Sequence, residues 1–149
     1  NYLVLIDCVH ILPQIFDEVW IPPAVFAELG RPETPSPVRS WLGEPHDWLA
    51  IESPKTLLAA LDLDAGEREA ISLAVEVGAS FVLLDDKKGR TAAQGLGLTV
   101  VGTLAVLEAA ALRRLIPLRE SIARLQQTNF RIAPHLIQEA IRRVERDGS

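Results

Sequence analysis

The chain has 149 residues, one cysteine and no methionine, and its 20 acidic against 15 basic residues leave a formal net charge of −5. That length suits one domain with a substantial core. Its apolar runs are short and interrupted, which excludes a helical bilayer span, and its start lacks the order of a secretory signal. The single Cys8 excludes an internal disulfide framework, fits a reducing cytoplasm and reads as core filler.

The charge is uneven. Residues 1–102 carry seven Lys/Arg against fifteen Asp/Glu, whereas residues 103–149 carry eight Arg against five acids. A basic tail of that density suits nucleic-acid phosphates or an acidic partner, and equally a solvated helix face. The chain opens on Asn1 without a methionine, so its natural start is expected upstream.

In chain order, Tyr2 to Ile6 with Val9, Ile11 and Leu12 predicts an amphipathic helix over 1–12, ended by Pro13; Leu3 to Ile6 alone would also suit a strand. Glu18 to Ile21 is strand-like. Pro22-Pro23 opens a helix through Leu29, stopped by Gly30. After a Pro-rich loop, Val38 to Leu42 predict a short helix and Trp48 to Ile51 a strand. Ser53-Pro54 suits the cap of a further helix, Lys55 to Leu61. Gly66 to Val77 form the next helix, with Ile71, Ala74 and Val77 on one face and Gly78 closing it. Phe81 to Leu84 read as a short buried strand, Arg90 to Leu96 as a helix before Gly97, and Leu98 to Val101 as another strand. Helices from Thr103 to Leu115, over 118–127 and over 134–146 complete the chain. Strands alternating with helices indicate an α/β domain with a parallel sheet.

In such a sheet ligands bind beyond the carboxyl ends of the strands, where Asp85 and Asp86 fall. Glu28 stands within the otherwise apolar Ala24 to Leu29, and Glu67 in the first turn of its helix, four residues before Ile71. Brought together, these carboxylates would raise one another's pKa values or require a cation. Mg²⁺ or Mn²⁺ suits such oxygen donors and can activate water against a phosphodiester. Glu69, on the other face, reads as a complement to the helix dipole. Each signal has a plainer reading: Glu28 as a solvated residue, and Asp85-Asp86 as a turn with a capping aspartate. Lys87, Lys88 and Arg90 stand ready to contact a substrate phosphate or simply to aid solubility. His10, His46 and His135 show no zinc-ligand spacing, and there is no Gly-rich phosphate loop.

Four stretches carry a resemblance: Pro22-Pro23-Ala24-Val25-Phe26-Ala27-Glu28-Leu29, Asp64-Ala65-Gly66-Glu67-Arg68-Glu69-Ala70-Ile71, Leu83-Leu84-Asp85-Asp86-Lys87-Lys88-Gly89-Arg90 and Val100-Val101-Gly102-Thr103. In order and spacing they resemble the PIN-domain nuclease superfamily, closest to the prokaryotic branch of the domain-of-unknown-function 3368 type, similar to VapC toxins. The resemblance implies a three-layer α/β/α sandwich with a parallel sheet, an acidic Mg²⁺ or Mn²⁺ site and cleavage of single-stranded RNA in the cytoplasm. It also implies an antitoxin partner and a homodimer. By position Glu28 matches the family's second acidic residue, Glu67 the third with Glu69 as alternative, and Asp85 or Asp86 the fourth.

The family's first aspartate ends an opening strand, and by spacing that strand falls just upstream of Asn1. Asp7 stands too close to Pro22 to replace it. The chain is thus expected to be a single domain over 1–149, N-terminally incomplete and without its first strand, which leaves neighbouring strands lacking a ladder partner. The alternative is a non-catalytic PIN-like module that binds protein or RNA. A phospho-accepting receiver domain is discounted, because no lysine follows Val101.

Overall fold

The structure, a computed structural model, describes residues 1–147. Its elements run α1 (Tyr2–Leu5), a 3-10 turn (Val9–Ile11), α2 (Leu12–Ile15), β1 (Val19–Ile21), α3 (Pro23–Leu29), α4 (Ser36–Leu42), β2 (Leu49–Ile51), α5 (Ala65–Val77), β3 (Val82–Leu83), α6 (Lys87–Gly95), β4 (Val100–Val101), α7 (Thr103–Leu112), α8 (Leu118–Gln126) and α9 (Pro134–Asp147). The α/β class read from the sequence holds. The strands are short and form two parallel pairs, β1 with β2 and β3 with β4. The chain groups into two compact units, Glu18–Gly102 and a second made of Asn1–Asp17 with Thr103–Ser149. No helix of the described residues is long and apolar enough to cross a membrane.

The Glu18–Gly102 unit carries all four strands of the described residues. Pro22 and Pro23 open α3 because the first helical turn needs no N–H from proline. Helix α3 packs on α5, and α5 against β3. Ile71 and Ala74 of α5, Val82 and Leu84 around β3, and Ala93 of α6 form its core. Each of these side chains, once buried, contributes about 1.5–3 kcal/mol if large and less if alanine. Gly78 ends α5 at φ 64°, where a residue with a Cβ would be strained. Val77, expected on the core face, is 43% exposed, since the last turn of α5 projects past the core. The strand over β3 is buried on one face only: Val82 and Leu84 point inward, while Phe81 and Leu83 are exposed.

The second unit is helical. Leu3, Ile6 and Ile11 from the N-terminal segment and Val106, Leu107, Leu125 and Ala140 from α7 to α9 are buried in it. Arg143 of α9 grips Glu108 of α7 through two hydrogen bonds, of 2.5 and 3.0 Å.

Two of the expected helices differ for reasons in the local hydrogen bonding. The helix over 1–12 stops at Leu5, because Asp7 takes a left-handed conformation (φ 60°) and the Cys8 N–H closes back on the Leu3 carbonyl at 2.7 Å. The chain then resumes, and Pro13 falls in the first turn of α2 instead of ending a helix. No helix forms over Lys55 to Leu61 either. The Glu76 carboxylate accepts the Lys55 N–H (2.9 Å) and the Thr56 N–H (3.3 Å), and Ser72 Oγ accepts the Leu58 N–H (3.0 Å), so these amides are satisfied by α5 side chains. Glu76→Ala is therefore expected to cost about 1 kcal/mol and to speed hydrogen exchange at Lys55 and Thr56. Unchanged exchange at both amides would contradict this tether.

Candidate functional site

Asp64 caps α5, its Oδ1 accepting the Glu67 N–H at 2.8 Å. This is the backbone half of an Asp-x-x-Glu capping box. Glu67 does not return the bond through Oε2, which is buried without a hydrogen-bond partner. That oxygen instead abuts Gly89, in the space a Cβ there would occupy. Gly89 belongs to the first turn of α6, which Asp86 caps by accepting the Gly89 N–H at 3.4 Å. Glu28 reaches the same region from α3: its Oε2 lies 2.8 Å from the position of a Cβ on Gly66, and Asp64 Oδ1 lies 3.7 Å from that point. Thr34 Oγ1 donates to the Glu28 carbonyl at 2.9 Å and fixes the end of α3.

The structure thus brings Glu28, Glu67 and Asp86 toward one another, together with Asp64. Asp85 Oδ1 lies 3.1 Å from where a Cβ on Gly102 would stand. Glu69 Oε1 accepts the Ala24 N–H at 3.3 Å and so secures the start of α3. Asp64 was missed as a site residue, although its place three residues before Glu67 gave a capping signal. Lys87, Lys88 and Arg90 are exposed near the start of α6, and Lys88 pairs with Asp62 at 3.2 Å. Both partners of that pair are well exposed, so it adds little stability.

The Glu67 carboxyl is raised from its ordinary value of 4.5 to about 7. Burial is the largest cause. A hydrogen bond with Asp64 comes next, then the negative charges of Asp64, Asp86 and Glu28. A partnerless buried oxygen amid three carboxylates fits hard, divalent-cation chemistry in donor type. Among the described residues, however, no three His, Cys, Asp or Glu side chains converge closely enough to hold an ion. Glu28 rests on Gly66 and Glu67 on Gly89, so each carboxylate lies against a separate helix turn.

The arginine-rich C-terminal segment is largely engaged within its own unit. Arg119 pairs with Glu145 (2.6 Å), Arg143 with Glu108 and Arg146 with Asp147 (3.3 Å). Arg113 and Arg124 donate to the carbonyls of Gln14 and Ile6.

Carboxylates from α3, from the start of α5 and from the cap of α6 thus lie near one another in an α/β unit. The chain belongs to the PIN-domain family: the family model DUF3368, a PIN domain, matches residues 1–146. PIN domains are typically nucleases and generally use divalent metals. Neither the curated proteins nor the solved structures contain a match to the chain.

The raised carboxyl sets a pH dependence. Between pH 4.5 and about 7 the folded chain keeps a proton on Glu67 that the unfolded chain has lost, so this group's contribution to stability falls as pH rises through that window. Glu67→Gln is expected to leave Tm nearly unchanged near pH 4.5 and to raise it by about 2–4 °C at about pH 8 in the presence of chelator. A lower Tm for the variant at the higher pH would contradict it.

Proposed function

We propose that this chain is a Mg²⁺- or Mn²⁺-dependent endoribonuclease that hydrolyses single-stranded RNA, acting in the cytoplasm as the toxin of a toxin–antitoxin pair. The observation that carries the nuclease reading is the buried, partnerless Oε2 of Glu67 facing the charges of Asp64, Asp86 and Glu28. The toxin role, the antitoxin and the homodimer rest on the resemblance of four motifs to VapC toxins.

In this reading Glu28, Glu67 and Asp86, with Asp64 beside them, would draw together to hold the cation. A cation bound there supplies Lewis acidity toward water and the phosphodiester oxygens. Glu67 stands on the start of α5, and Asp64 and Asp86 cap the starts of α5 and α6, so these carboxylates are anchored to helix turns. Lys87 and Arg90, exposed near the start of α6, meet the substrate backbone as phosphate contacts that position RNA without reading its sequence. Asp85 is a supporting residue, turned toward Gly102.

Calorimetric titration with Mn²⁺ tests the site. Saturable binding is expected, weakened beyond the 10–100-fold typical of outer-shell changes by Glu28→Gln and by Asp86→Asn, and less by Asp85→Asn. Cleavage of a single-stranded RNA should disappear with chelator and return with Mn²⁺. No Mn²⁺ binding at millimolar concentration would sink the metal-nuclease reading and leave a non-catalytic RNA- or protein-binding module in its place.

A further inference from the structure

Two glycines stand where the site's carboxylates touch backbone. Gly66 and Gly89 are both buried, and each lies in the first turn of its helix, α5 and α6. A Cβ on Gly66 would meet Glu28 Oε2 at 2.8 Å and Val25 Cγ2 at 3.4 Å. A Cβ on Gly89 would collide with Glu67 Oε2, and would come within 3.2 Å of its Cδ. In both cases the atom in closest conflict is the end of a flexible carboxylate side chain. Neither glycine has a positive φ, so backbone conformation does not demand glycine there. Gly95, later in α6, has nothing within 4 Å of its Cβ position and serves as an internal contrast.

We propose that Gly66 and Gly89 are the positioning residues of the acidic site. Each leaves open the one volume in which the carboxylate of Glu28 or Glu67 can lie flat on a helix start. The inference deepens the metal-site reading above and rests on it. Neither glycine touches a cation; each acts through the carboxylate it seats. The physical signature is a split. Alanine favours a helix over glycine, and the displaced carboxylate end moves at little cost to the fold. Stability therefore holds or rises while Glu28 and Glu67 lose the placement from which they would close on a cation.

The test compares Gly89→Ala, Gly66→Ala and Gly95→Ala by Mn²⁺ calorimetry and thermal melting, with Glu67→Gln alongside. The expected result is a Tm equal to or above wild type in all three glycine variants. Mn²⁺ affinity should fall about tenfold or more in Gly89→Ala and Gly66→Ala, as when outer-shell partners of a metal are altered. It should be unchanged in Gly95→Ala. Wild-type affinity in Gly89→Ala, while Glu67→Gln abolishes binding, overturns the positioning role and leaves the metal site standing. A Gly89→Ala chain that melts far below wild type also overturns it, since the conflict would then fall on the fold. If the wild-type chain itself takes up no Mn²⁺, the site reading falls and the inference with it.

Discussion

The feature on which the Glu18–Gly102 unit turns is the seating of acidic side chains against the starts of neighbouring helices. Glu69 of α5 holds the first free amide of α3, Glu28 of α3 lies on Gly66 of α5, and Glu67 of α5 lies on Gly89 of α6. Helices α3 and α5 thus exchange carboxylates and α5 presents a further one to α6, while Asp64 and Asp86 cap α5 and α6 from their own chain segments. Helix starts are the favourable place for negative charge, by about 0.3–1 kcal/mol each. That attraction is not enough for Glu67. Its carboxyl is still pushed up to about 7, so burial and repulsion outweigh the helix dipole at this one side chain. The arrangement is stable with a proton on Glu67 and electrostatically unfinished without one.

What the sequence made legible follows from where each signal is local. Pro22-Pro23 before Ala24, Gly30 after Leu29, and Gly78 after Val77 mark α3 and α5 because caps depend on adjacent residues alone. The carboxylate pattern was readable for the same reason, since Glu28 and Glu67 interrupt otherwise apolar or helix-opening runs. Asp85 and Asp86 are indistinguishable in the sequence, because neighbouring residues at a strand end point opposite ways and only the packing says which way is inward. The charge of Asp86 bears on Glu67, and Asp85 Oδ1 lies against Gly102.

The failures have the opposite character. Nothing near Lys55 announces that its amide is taken by Glu76, twenty-one residues later, so the segment reads as a capped helix when it is a tethered loop. The stop after Leu5 depends on a left-handed Asp7, a conformation that costs most residues about 1–2 kcal/mol and that no glycine announces. Arg114 does the same beyond α7, at φ 60°, which is why that helix ends at Leu112 and not at Leu115. The strand pattern was overread in another way. Phe81 to Leu84 form a continuous apolar run, the mark of a strand buried on both faces, yet Phe81 is 50% and Leu83 41% exposed.

Glycine in a helix is a loss of about 0.5–1 kcal/mol against alanine, and α6 carries two where α5 carries one. Gly95 has open space around it, so sterics do not explain it. Gly66 and Gly89 differ because the missing methyl is occupied by someone else's oxygen. Sites that depend on tight placement commonly forgo stability that a simple substitution would restore. Here the forfeited helix propensity is small beside the consequence of moving a carboxylate whose Oε2 is buried without a partner and which three like charges crowd. The same absence of a side chain that weakens α6 is what lets Glu67 stand where its charge matters.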